Sequence, residues 1–422
     1  MSAEQTWFEL GSVYEKLGVH YVNARAEAIA PDDQTVTVRY EDGRQQTLVY
    51  DYLLNATGPY LNFEGTPGLG PKIGSTQSVC SVEHALGARD AYRASLEKMK
   101  AGKRQKMVIG VGHPGATCEG AAFEYIMNVH WDLQRRGLRD QADLVWLTNE
   151  PEVGDFGVDG IEAKKGGVVI TGAAMVRMLF DEAKIKPIIA AGVSEVRGDS
   201  IQYDVVGGDP TSLDFDFAML IPQFRGIPMK YVAADGSDIT AKMTLPNGFM
   251  RVDAEYAPKT YEEYRATDWP ALYRSPYYVN LYAAGIAFAP PHAISRGKKT
   301  AAGMVVQATP PGTGMASGIM GRTVAENIAD QVAGREPSHH ARMSEMPAAC
   351  IASMGKSMLT GSAASIMMVP IVRDYEKYPE YGRDLALCDL GVGLAGAWTK
   401  RLLHEAFMWK LQGKPGWQLV PE

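Results

Sequence analysis

The chain has 422 residues, 46% of them hydrophobic and 22% charged, with a formal net charge of −7. That length calls for two or three domains with ample core, and so mild an acidic balance excludes a nucleic-acid binder, which carries basic patches. The four cysteines, Cys80, Cys118, Cys350 and Cys388, lie far apart, so neither a Cys-x-x-Cys metal pair nor a disulfide framework is expected.

In chain order, Thr6 to Leu17 reads as a helix, followed by alternating strands at Thr35 to Tyr40 and Gln46 to Tyr50 around the turn Glu41-Asp42-Gly43. MSAEQTWFEL shows no signal-peptide pattern. A short apolar run, Tyr52 to Asn55, ends in Ala56-Thr57-Gly58-Pro59. Ser81 to Lys100 is helical; Lys106 to Gly110, a glycine turn, a helix over Ala116 to Arg136 and a strand over Ala142 to Thr148 then form a βαβ unit, the sign of a parallel sheet. Residues 163–275 are mixed. Asn280 to Ala284 is a further strand, and a Pro/Gly loop leads to a helix over Gly314 to Val332. Arg335 to Arg342 reads as a linker. The longest apolar run, Ile366 to Val372, contains Pro370 and is too short to span a bilayer. Near the C-terminus, Leu394, Trp398, Leu402 and Ala406, with Leu403 and Phe407, form one helical stripe, with Lys400, Arg401 and Lys410 off it. Such a helix either packs in a core or lies in a membrane interface.

The chemistry concentrates at IGVGHPGATCEG, Ile109 to Gly120. Gly110-x-Gly112-x-x-Gly115 between a strand and a helix lets a backbone approach a pyrophosphate, which makes Gly112 and Gly115 candidate cofactor residues. Glu150 counts against this, because it comes 38 residues after Gly112 where a ribose-binding acid comes roughly 20 on; so do His113 and Pro114. Cys118 falls where the helix begins. There the dipole favours a thiolate and lowers its pKa; alternatively Cys118 is a small buried hydrophobe. Cys350, in PAACIASMG, has the same two readings. Cys80 precedes a helix, with His84 one turn on. Ala56, Thr57, Gly58 and Pro59 mark a strand exit where a backbone can pass a bound dinucleotide. Gly285, Ile286, Thr313 and Gly314 flank a loop and a helix N-terminus whose dipole can stabilise negative charge.

Taken together, NATGPYLNFEGTPG, QSVCSVEHA, GATCEGAAFEY, LTNEPEVG, MLIPQFRGIP, YAAGIAFAPP, TPPGTG and PAACIASMG resemble the sulfide:quinone oxidoreductase family of two-dinucleotide-binding flavoproteins. The resemblance runs from about residue 10 to residue 370, and more weakly to the end. It implies an α/β fold: two Rossmann-like FAD/NAD(P)-binding domains, the first incomplete at its N-terminus, plus a C-terminal amphipathic helical region. The expected boundaries are 1–75 with 276–335 for the FAD domain, 76–275 for the second domain, and 336–422 for the quinone- and membrane-associated region.

The resemblance further implies oxidation of sulfide to polysulfide or sulfur, FAD as cofactor and a membrane quinone as acceptor. Cys118 and Cys350 match its redox pair, and Cys80 matches a third cysteine near the flavin, which in some members holds it covalently. His84 and Glu124 match its proton-handling positions. Glu124, six residues past Cys118, is turned roughly 120° from it on a helix. Asp155 stands where some relatives carry a histidine, and Ser317 lies near the place of a family lysine. A homo-oligomer, peripheral on the cytoplasmic or periplasmic face of the inner membrane, is expected. The family's opening strand, glycine turn and helix, which hold the FAD diphosphate, are not found before Trp7, so weak or absent FAD binding by these 422 residues is expected. The other readings are the flavin subunit of a cytochrome-linked sulfide dehydrogenase, an NADH:quinone oxidoreductase, and a flavin-free truncated form without activity.

Overall fold

A computed structural model describes residues 7–420 apart from 356 and 358. The βαβ unit read from the sequence becomes a four-stranded parallel sheet. Ahead of it, α1 (Val82–Lys100) is capped by Ser81, whose Oγ accepts from the His84 N–H at 3.1 Å, the usual work of an N-cap serine. Then come β1 (Gln105–Val111), α2 (Glu119–Arg135), β2 (Ala142–Leu147), β3 (Ile185–Ile188) and β4 (Phe217–Ile221), arranged β3-β2-β1-β4 with every pair parallel. Residues Met107 to Val111 of β1 and all of β4 are buried, as strands covered on both faces should be. α2 buries Ala122, Phe123, Ile126, Met127, Val129 and Leu133, a stripe at helical spacing.

The other nucleotide-type unit is assembled from distant segments. Leu53–Asn55 pairs in parallel with Leu281–Ala283, and the Ala284 N–H donates to the Asn55 carbonyl at 3.1 Å. Residues 56–59 and 284–286 therefore leave the sheet side by side, at the strand ends where ligands bind in open α/β sheets. α3 (Gly314–Val332) starts where the sequence placed it, with the Thr313 hydroxyl accepting from the Ala316 N–H at 3.4 Å. An antiparallel meander, Arg25–Ala30, Thr35–Arg39 and Gln45–Val49, flanks this unit.

The C-terminal part is a second antiparallel meander, β5 (Ala348–Ser353), β6 (Ala363–Met368) and β7 (Asp389–Gly393), backed by α4 (Leu394–Leu411). Gly396 permits the contact: a Cβ there would lie 2.6 Å from the Ser365 hydroxyl. Three expectations are corrected. The first helix runs Leu10–Lys16, and Thr6 lies outside the described residues. Arg335 to Arg342 is not a free linker: Ala341 is buried and accepts from the Tyr273 hydroxyl at 2.6 Å, while Arg335 pairs with Asp330. The helix drawn from Ala116 begins only at Glu119, because residues 113–117 are pinned from outside, as described next.

Candidate active site

The sulfur cluster follows from how α2 begins. Cys118 is its N-cap rather than a member of its first turn, with φ 72° and ψ 31°, a left-handed conformation that few non-glycine residues adopt. Two residues on, a Cβ at Gly120 would lie 3.3 Å from Cys350 Sγ. The glycine thus lets a sulfur from β5 rest on the first turn of α2. β5 is held there by Asn128, whose Nδ2 donates to the Ser353 carbonyl at 2.7 Å and whose Oδ1 accepts from the Gly355 N–H at 3.1 Å. Ser353 in turn donates to Glu124 Oε1 at 2.7 Å. Cys80 enters from the loop before α1, its N–H bonded to Ser78 Oγ at 3.2 Å. Cys80 and Cys350 both lie near enough to act electrostatically on Cys118. All four cysteines are unpaired, and Cys388 stands apart, buried against Val369.

The expected low pKa of Cys118 is not found. Burial pushes its thiol up to about 12, reinforced by Glu119, Cys80 and Cys350, none of them positive. Desolvating an anion outweighs a helix-end contribution of about 0.3–1 kcal/mol. The Cys350 thiol is also raised by burial, with Lys400 opposing and Glu124 adding to the rise. The Cys80 thiol is raised by burial against the lowering influence of Ser78. Glu124 pairs with Lys400 Nζ at 2.8 Å and faces Cys350 rather than Cys118, as its helical angle requires. The His84 ring sits edge-on to Phe63 at 5.6 Å, its Nδ1 buried without a partner among the described residues.

The glycine turn is closed to a phosphate. The Gly112 N–H donates to Ile221, and the space a side chain would take there holds Leu69, 2.5 Å from the would-be Cβ. The Gly115 N–H is bonded to His113 Nδ1 at 2.9 Å. The carbonyls of Pro114 and Ala116 accept from Asn149 Nδ2, and the Gln307 and Thr309 N–H groups donate to the same two carbonyls. The segment between Pro291 and Thr309, of no assigned role in the sequence, therefore braces this turn. Glu150 is buried, bonded to the Thr148 hydroxyl and the Phe156 N–H at 2.8 and 2.7 Å, and is not presented to a ribose. Gly112 is thus a packing residue, correcting its assignment to cofactor binding.

The opposite helix end is open. A cavity of about 260 Å³ is lined on one side by Gly115 and Thr117 and on the other by Gly285, Ile286, Gly312, Thr313 and Ser317. Trp269, Phe249 and Phe288 close its apolar wall. Pockets for drug-sized ligands run to about 300–1,000 Å³, so this volume takes a ring system rather than a whole dinucleotide. A Cβ at Gly314 would meet nothing within 4 Å, and Gly285 holds φ +66°. Thr117 lines the cavity one residue before Cys118.

Sequence reasoning missed Gly120, Asn128, Ser353, Lys400 and Glu119. Gly120 carried a signal, since glycine inside a helix costs up to about 1 kcal/mol relative to alanine and so asks for a packing reason. Glu119 carried none, because an acid at the first helical position ordinarily reads as a surface partner of the dipole. Yet it is fully buried, and neither carboxylate oxygen has a partner among the described residues. No grouping of metal-binding side chains occurs among the described residues.

No family model matches the chain. Over 355 residues it is 29% identical to the sulfide-quinone reductase of Aquifex aeolicus (strain VF5), covering 82% of this chain and 68% of the relative. The X-ray structure of the sulfide:quinone oxidoreductase of the hyperthermophilic bacterium Aquifex aeolicus superposes with a TM-score of 0.72 at 26% identity, over 97% of this chain and 81% of that one. An engineered water-forming NADPH oxidase shares the fold at a TM-score of 0.50 and 13% identity, over 96% of this chain and 79% of that one.

Proposed function

From its similarity to sulfide:quinone oxidoreductases, we propose that the chain oxidises sulfide at Cys118 and Cys350, with FAD as cofactor and a membrane quinone as electron acceptor. The observation that carries this reading is the convergence of three thiols from separate segments, with Cys350 Sγ seated on the first turn of α2 at Gly120. A structural role for buried cysteines needs no such meeting.

The residues present fit a flavin. The open N-terminus of α3 at Thr313 and Gly314 offers free amides to an anionic ring. Gly285 and Ile286 bound the cavity, and Ala56, Thr57, Gly58 and Pro59 lie beside them at the paired strand exits. When bound, FAD supplies the two-electron acceptor that a pair of thiols lacks. The chain's own work is to hold the two sulfurs at one gap, where both are partly buried. Cys80 stands as the third sulfur at the same place, and Lys400 steadies the Cys350 side through Glu124.

Membrane contact is assigned to α4. It buries only Gly396 and leaves Trp398, Leu402, Phe407, Trp409 and Leu411 exposed; Trp7, Leu10 and Leu17 are exposed as well. Trp398, Leu402 and Trp409 share one side of α4, and Leu17 lies beside Gly413 just past its end. Among the described residues no helix is long and apolar enough to cross a membrane, and the exposed tryptophans and leucines of α4 are what would meet a bilayer surface.

The test is the electron acceptor. Purified protein with a stoichiometric flavin spectrum should reduce decylubiquinone on addition of sulfide and leave NADH untouched. Sulfide-dependent reduction of cytochrome c in place of decylubiquinone would move the protein to the cytochrome-linked dehydrogenases. A cooperatively folded protein without flavin would remove the reading.

A further inference from the structure

We propose that Glu119 is a proton store for the Cys118 sulfur, refilled from solvent through Glu150 and Asp155. The proposal deepens the function above and rests on it where sulfide turnover is concerned. It starts from an unpartnered group: Glu119 is completely buried, next in sequence to Cys118, and has no hydrogen bond to either carboxylate oxygen among the described residues. An ionised carboxylate in that position would be strongly unfavourable. The charges that act on Glu119 are Glu150 and Asp155, both acids; burial and these neighbours hold its carboxyl well above the usual range, offset in part by its own amide. Burial and the two acids therefore favour the protonated form of Glu119.

Cys118 has the complementary need. Any bond cleavage that leaves its sulfur as an anion leaves it beside Glu119, Cys80 and Cys350, with no cation among the groups acting on it. Proton transfer resolves this: the O–H bond of Glu119 breaks, an S–H bond forms on Cys118, and the negative charge passes to the carboxylate with no change in oxidation state. Glu150, itself buried, is near enough to act electrostatically on Glu119 and accepts from Thr148 and the Phe156 N–H. Asp155 follows, accepting from the Ser295 hydroxyl and from the Gly157 N–H at 3.0 Å. It lines a solvent-facing hollow of about 590 Å³ that also presents Asp159, Arg177, Arg296 and Lys298. Asp159 and Arg373 are the charged groups that act on Asp155. Burial raises its carboxyl to about 6, so the outer end of the chain exchanges protons near neutrality.

The experiment has two arms. In infrared spectra of the purified protein at pH 7, buried protonated carboxyls should give C=O bands that shift in deuterium oxide; one component should be lost in Glu119→Gln, while that of Glu150, whose carboxyl burial raises to about 8, remains. A carboxyl spectrum in Glu119→Gln unchanged from the parent would overturn the store. In the second arm, flavin-loaded Glu119→Gln should turn over sulfide and decylubiquinone at least tenfold more slowly at pH 8 with KM for sulfide unchanged. The deficit should narrow as pH falls and solvent protons substitute, and Glu119→Asp should recover part of the rate. Asp155→Asn, which leaves the first turn of α2 untouched, should show the same alkaline deficit more weakly. A parent-like pH profile in both Glu119→Gln and Asp155→Asn would overturn the proposal. Absence of sulfide turnover in the parent defeats the proposed function instead, and the infrared arm then decides alone whether Glu119 holds a proton.

Discussion

Two helix N-termini in this molecule begin alike and end differently. Each follows a glycine-bearing loop, and each presents the positive end of a helix dipole. At α3 the first turn is left open: Gly314 faces empty space, and its loop lines a cavity. At α2 the turn is filled: Leu69 occupies the hollow at Gly112, His113 takes the Gly115 amide, and Asn149 and residues 307–309 bind the outward carbonyls. The local sequence motif is therefore no guide to ligand binding by itself. Whether the amides and the hollow beside them are already taken decides it: the Ile221 carbonyl and His113 take the amides of Gly112 and Gly115, and Leu69 fills the hollow from outside the motif. The closed end has been given to sulfur instead, with Cys118 as N-cap and Gly120 making room for Cys350.

The largest effect that tests this contrast is loss of either sulfur. Cys118→Ser or Cys350→Ser should lower sulfide-dependent decylubiquinone reduction by at least about 10³-fold, as removal of a covalent participant does, while flavin content stays at the parent level. Full activity in either variant removes the sulfur pair from the mechanism.

A paired substitution sharpens the contrast at the helix ends themselves. Gly314→Asp puts a carboxylate into open space at the α3 end. It should weaken flavin retention by about 10- to 100-fold through like-charge repulsion at the cofactor and leave the melting temperature near that of the parent. Gly112→Ala meets Leu69 and should cost about 1–3 kcal/mol of stability by overpacking with little effect on the flavin retained by the folded fraction. Adding Leu69→Ala should restore part of that loss. If Gly112→Ala instead strips the flavin without destabilising the fold, the closed end is a ligand site after all.

Proton linkage gives a smaller effect. Asp155 has its carboxyl raised to about 6 by burial. A carboxyl raised above its ordinary value contributes stability that is fully present below that ordinary value and is lost as pH rises through the raised one. The parent's melting temperature should therefore fall by about 2–6 °C between pH 4 and pH 7 from this group, and Asp155→Asn should flatten that stretch of the curve. An identical slope in the variant would mean that Asp155 titrates as an ordinary surface acid.

Much of this arrangement was legible in the sequence because it is written locally. The βαβ unit, the helix from residue 81, the start of α3 and the strand exit at Ala56 to Pro59 all follow from periodicity and turn chemistry within a few residues. The meeting of Cys80, Cys118 and Cys350 was reached only through resemblance to a family, since no local pattern relates a thiol at 118 to one at 350. The thiol of Cys118 was misjudged for a physical reason: a helix-end dipole is visible in sequence, while the desolvation that opposes it depends on what the rest of the chain lays over the site. The buried state of Glu119 and the plug at Leu69 belong to the same class.

The smallest effect concerns the rim of the cluster, where the charges are partly exposed. Lys400 lowers the Cys350 thiol and Glu124 raises it, each by less than the rise from burial. Lys400→Ala should therefore slow alkylation of Cys350 by iodoacetamide at pH 8, and Glu124→Gln should speed it, each by a few-fold, because a half-exposed pair is screened by solvent. The two shifts should shrink together in high salt. Cys118, on which neither residue is among the acting charges, should keep its own slow rate in both variants. A change at Cys118 equal to that at Cys350 would mean that the two thiols share one electrostatic environment, and that the closed helix end and the strand sulfur docked on it act as a single titrating unit.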